Sequence, residues 1–186
     1  MTTVDTPTAG GIAPALRRLY FVRFAFAIVW AVLLFVTSKS AVGPIGVVLV
    51  VLYPLFDVAA AVVDARSSRA TGTARGLYVN IAISLLAGIG IAIASASGVP
   101  AVLRVWGAWA IVAGLVQLIV ALGRRKLGGQ WPMILSGGIS VLAGANFVIG
   151  ASAANPSLAN VAGYAVLGGI FFLVSAIRLG RAAKGN

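Results

Sequence analysis

Six apolar runs, at 19–38, 41–63, 77–95, 101–122, 131–150 and 158–179, are separated by short breaks rich in Gly, Pro, Ser and Arg. Each approaches the roughly 20 residues that carry an α-helix across about 30 Å of hydrocarbon. The runs are continuous rather than alternating, and only helices or closed barrels satisfy their own backbone in lipid. The pattern therefore predicts an all-α membrane protein with six transmembrane helices. Residues 1–18 have no apolar period and read as a flexible tail, 19–181 as the transmembrane domain, and 182–186 as a short basic tail.

The polar breaks carry the charge. Arg17, Arg18, Arg23, Arg66, Arg69, Arg75, Arg124, Arg125, Lys126, Arg178, Arg181 and Lys184 fall on one side of the membrane, and only Lys39 and Arg104 on the other. Basic loops are retained in the cytoplasm, so both termini of this multi-pass protein are expected inside. Arg17-Arg18 before an apolar run resembles a signal peptide, with small residues at 38–41 for cleavage. The run at 19–37 is longer than a typical h-region and further spans follow, so retention is expected.

Self-similarity sharpens the picture. Pro44, Pro100 and Pro156 are 56 residues apart, as are Arg69, Arg125 and Arg181. The same offset maps Gly107 onto Gly163, Gly72 onto Gly128, and the LLAG at 85–88 onto the VLAG at 141–144, while two periods relate Arg66 to Arg178. The chain is expected to be three tandem, parallel helical hairpins, at about 19–70, 75–126 and 131–182, around a pseudo-three-fold axis. Ser84, Gly88, Ala92 and Ala96 form a small-residue stripe on the third span, and Ser136, Ser140 and Gly144 repeat most of it on the fifth. Such stripes let helix backbones approach in lipid. Internal packing is the expected use, with a homo-oligomer face as the alternative.

Composition excludes several function classes. The chain has 186 residues, 61% of them apolar, with a net charge of +11. Basic residues confined between apolar runs argue for membrane topology and against nucleic acid. There is no Cys, His or Glu, and the acidic residues are Asp5, Asp57 and Asp64. Thiol nucleophiles, His-based triads and zinc motifs cannot be built, so neither an enzyme nor a metal or other cofactor is expected. The glycine-rich GIG and GGQ pieces lack phosphate-loop spacing.

Ionisable residues inside a span are the default functional candidates. Asp57 stands out, with Tyr53 nearby and Pro54 inviting a kink. It reads either as a proton or cation site or as a buried ion pair with Arg23. Asp64, seven residues on, reads as a solvated counter-charge beside Arg66, and Arg104 as a snorkelling anchor. Asn80, Gln117 and Asn146 suit interhelical hydrogen bonds. Trp30, Trp106, Trp109 and Trp131, with Tyr20 and Tyr78, suit the interfacial aromatic belt.

Pro100, Trp106-Gly107, Gly114, the GGQW at 128–131, Gly137, Gly144, Pro156, Gly163, Gly168-Gly169 and Ser175 together resemble the HdeD-like family, bacterial inner-membrane proteins of short two-helix repeats linked to acid resistance. The resemblance covers roughly 99–181 and implies six spans, a place in the bacterial inner membrane and a role in acid stress. It brings no catalytic or ligand residues. The first hairpin, with YPLFD at 53–57, departs from the pattern. The expected function is thus a non-enzymatic membrane protein of stress tolerance or membrane homeostasis, partnered by the lipid bilayer. The alternative is a small proton- or cation-coupled transporter or channel using Asp57.

Overall fold

A computed structural model describes residues 12–37, 42–68 and 74–183. Residues 1–11 of the expected tail, the cleavage reading at 38–41, Lys39, Arg69, Gly72 and Lys184 lie outside the described residues. The helices are α1 (Ile12–Thr37), α2 (Pro44–Ser67), α3 (Ala74–Ser95), α4 (Val99–Gly123), α5 (Trp131–Gly150) and α6 (Ala159–Ala182). All six are long and apolar enough to cross a membrane, which makes the chain a multi-pass membrane protein by length and composition.

Proline marks the helix starts. Pro44, Pro100 and Pro132 lie in the first turns of α2, α4 and α5, where a missing N–H costs nothing. Pro156 falls in the turn before α6. Inside α2 the helix runs unbroken through Pro54, which is buried. One boundary differs from expectation. α1 starts at Ile12 rather than 19, because Leu16 is buried with Leu19, Tyr20 and Leu179, so 12–18 belong to the packed helix and not to a tail. Pro14 is tolerated there, since it falls in the first turn.

The helices form a closed ring in chain order. Each packs on its sequence neighbours, and α6 closes on α1. The closest pairings are α2 with α3, α4 with α5, and α6 with α1. The α4–α5 crossing is made by glycine. A Cβ on Gly107 would meet the Gly144 carbonyl oxygen at 2.5 Å, and one on Gly114 the Gly137 carbonyl oxygen at 2.8 Å. Without a hydrophobic effect between helices in lipid, such backbone approach supplies the packing energy.

The two ends of the ring are packed differently. The end that carries both termini is marked by Arg17 lying against Gly180. Toward the opposite end, Trp30, Leu34, Val50, Ile91, Val102, Trp106, Leu158 and Val161 fill the interior. Trp30, Tyr53, Trp106 and Trp109 form its floor, with ring centroids 4.5 Å apart for Trp30 and Tyr53 and 5.3 Å for Trp106 and Trp109. The aromatic-belt expectation is therefore corrected for three tryptophans: Trp30, Trp106 and Trp109 are 2%, 0% and 9% exposed. Tyr20 is buried as well. Their side chains turn into the ring, and the Trp30 indole N–H donates to the Leu49 carbonyl at 2.7 Å. Trp131 and Tyr78 are exposed.

Candidate functional site: a polar cavity inside the ring

Below the aromatic floor, toward the terminal end, all six helices line a central cavity of about 110 Å³, ample for several waters. Its walls hold two ion pairs, both anchored on α2. Asp57 and Asp64 are seven residues apart and so lie on one helix face, about 10 Å apart in height.

Asp57 is the deeper group and is fully engaged. Arg23 of α1 donates through Nη2 to Asp57 Oδ1. Asn80 of α3 donates to Oδ2 at 2.5 Å, and Ser84 to the same oxygen at 2.9 Å. Trp109 Nε1 then donates to Ser84 Oγ at 3.0 Å, which ties α4 into the network. The Arg23 guanidinium also lies over the Phe172 ring, 4.4 Å from its centroid, an arrangement that favours the charge in a desolvated site. Of the candidate trio, Arg23 and Asp57 are thus joined directly, while Tyr53 sits in the aromatic floor and lines the same cavity.

The second pair corrects the sequence reading. Asp64 is buried, not solvated, and its partner is not Arg66, which is exposed. Arg124, at the end of α4, grips both carboxylate oxygens, Nη1 to Oδ2 at 2.8 Å and Nη2 to Oδ1 at 2.6 Å. Ser68 donates to Asp64 Oδ1 at 3.0 Å and accepts from Arg124 Nη2 at 2.7 Å. This forked geometry fixes direction as well as charge. Burial disfavours the Arg124 guanidinium, but its hydrogen bonds to Asp64 and the Asp64 charge more than offset this and hold its pKa above the ordinary value.

The remaining wall is polar on α5 and α6. Tyr164 donates to Ser140 Oγ at 2.7 Å, and Ser140 to the Ser136 carbonyl at 2.7 Å. Gln117 reaches the Met133 carbonyl at 3.1 Å, whereas Asn146 is exposed on α5, away from this network. Gly129 explains the GGQ piece. Its φ is +64°, a Cβ would meet the Leu179 N at 2.8 Å, and Ser175 Oγ donates to its carbonyl at 2.5 Å. The turn is thereby seated on α6, and Gln130 is delivered into the cavity wall.

The small-residue stripe is split in use. Gly88 packs on Leu55 and Gly144 on Gly107 and Ile111, while Ser84, Ser136 and Ser140 face the cavity network. Ala92 and Ala96 are exposed, because the stripe leaves the α2–α3 contact toward the far end. Arg104 is exposed, as a snorkelling anchor requires.

Sequence reasoning missed Arg124, Gln130, Trp109 and Tyr164. Arg124 was hidden in a run of three basic residues, and only the seven-residue spacing that puts Asp64 on the Asp57 face hinted at a buried partner. Among the described residues no group of acidic side chains is placed to hold a metal ion. Compared with protein-family models, with curated proteins and with solved structures, the chain finds no match.

Proposed function

We propose that this chain is a non-enzymatic, solute-binding membrane protein, built as three hairpin repeats, whose cavity is reached past a polar closure from the cytoplasmic side, where both termini lie. The observation that carries the proposal is the difference between the two closures of the cavity. One is an apolar and aromatic plug around Trp30 and Trp106; the other is polar, made by Arg124, Asp64 and Gln130. A polar closure can open by exchanging its hydrogen bonds for water, whereas opening the plug would have to separate packed aromatic and aliphatic side chains.

The repeat is supported by contact register. Leu55 against Gly88 becomes, 56 residues on, Ile111 against Gly144. Asp57 against Ser84 corresponds, two periods further around the ring, to Gly169 against Ile28. The inward orientation of the termini is supported by Arg17, Arg18, Arg66, Arg75, Arg125, Lys126, Arg178 and Arg181, all exposed near that end. A bacterial inner membrane, the HdeD-like resemblance and a role in acid tolerance belong to the same proposal and rest on framework residues. The proton- or cation-pathway reading is weakened by Asp57, whose two oxygens already accept from three side chains.

The natural absence of cysteine gives a clean test. In sealed vesicles, Ser136→Cys on the cavity wall should react with a membrane-impermeant thiol reagent added on the terminal side and not from the other side. Ala162→Cys in the plug should react from neither. Equal reaction of Ser136→Cys from both sides, or none from the terminal side, would sink the one-sided cavity.

A further inference from the structure

We propose that the cavity takes a small solute of zero net charge that carries acceptor oxygens, such as an amide or a zwitterion, rather than a free ion. This rests on the solute-binding reading above and names its ligand class.

The charge balance comes first. The ionisable groups that are ion-paired in the wall are Arg23 with Asp57 and Arg124 with Asp64, so the fixed charges cancel. A net ion entering this low-dielectric space would leave one charge without a counter-charge, which buried sites tolerate poorly. A neutral or zwitterionic solute leaves the balance intact.

The unpartnered atoms then say what the solute must offer. Arg23 Nε is a buried donor without a hydrogen-bond partner and Gln130 Oε1 a buried acceptor without one, and Arg124 Nε is a further buried donor whose guanidinium also interacts with the Tyr20 hydroxyl. Arg124 and Gln130 are 4% and 2% exposed. In contrast, all four carboxylate oxygens of Asp57 and Asp64 already accept hydrogen bonds. Buried polar groups in native proteins find partners. What the wall lacks is mainly acceptors, with one donor for Gln130. A carbonyl or carboxylate oxygen meets the first need and an N–H the second. Tyr53, Trp109 and Phe172 line the same wall and give it apolar surface beside the polar groups.

Protection of Ser136→Cys from the thiol reagent, added on the terminal side, tests the proposal. The probes are acetamide, glycine, acetate and methylammonium at equal concentration and ionic strength. Acetamide or glycine should slow labelling on the order of fivefold when present at several times its Kd, while acetate and methylammonium leave the rate within about twofold of the control. Protection by acetate or methylammonium as strong as by acetamide or glycine would overturn the ligand class. Labelling from the terminal side that no probe slows would overturn it too, leaving a water-filled cavity open on one side. Loss of labelling altogether strikes the one-sided cavity instead.

Discussion

Arg124→Ala is expected to destabilise the folded bundle by about 3–5 kcal/mol, because it leaves the Asp64 carboxylate buried without its counter-charge. Two hydrogen bonds to Asp64 and one to Ser68 go with the guanidinium. The double variant Arg124→Met with Asp64→Leu should behave in the opposite way. It removes both charges together, and buried pairs replaced by apolar residues of similar volume are often neutral or more stable by about 1–4 kcal/mol. Unfolding in a denaturing detergent series, read by tryptophan fluorescence, separates the two. A double variant as unstable as the single one would mean that the pair is a net stabiliser of the ring and not a charge held at a cost for function.

The second large effect is steric. Gly144→Ala should destabilise by about 1–3 kcal/mol, because its Cβ meets the Gly107 carbonyl oxygen at 2.5 Å and the Ile111 N at 2.9 Å. Those are backbone atoms, which cannot rotate aside, so α4 and α5 must separate. Gly163→Ala is the contrast. Nothing lies within 4 Å of its Cβ position, and alanine gains up to about 1 kcal/mol of helix propensity. Gly107, on the other side of the same crossing, and Gly163 are 56 residues apart, the spacing of the proposed repeat, so the contrast comes from packing and not from sequence position. Identical responses in the same detergent series at Gly144 and Gly163 would contradict the glycine-built α4–α5 crossing.

The six spans were legible because the bilayer sets a length that few other constraints can disguise. Trp131–Gly150 agrees residue for residue, and most other ends shift by only a few positions. The start of α1 was not legible, since Arg17 and Arg18 mask the packing of Leu16 behind them. The Arg23–Asp57 pair could be anticipated, as two opposite charges entering adjacent spans from one side have few other partners. Asp64 could not. Its partner is 60 residues away in sequence, and a carboxylate beside Arg66 gives no local sign of which way it faces. The tryptophans failed for a related reason: distance from a span end fixes depth in the membrane, but not whether an indole points to lipid or to the interior of the bundle.

The enclosed cavity depends on α6 closing against α1, for without that seam the two ion pairs would face lipid. The seam can be tested by a disulfide between Ala27→Cys and Gly169→Cys, where the Cβ atoms would lie 3.2 Å apart, a few tenths of an ångström from the usual 3.5–4.5 Å. A protease site placed in the exposed turn at Asn155 separates α6 from the rest of the chain. After oxidation in native membranes and cleavage, the two fragments should stay joined until reductant is added, while Val29→Cys with Gly169→Cys, on the exposed side of α1, should fall apart at once. Fragments of the Ala27→Cys and Gly169→Cys protein that separate without reductant would show an open bundle and contradict the enclosed cavity.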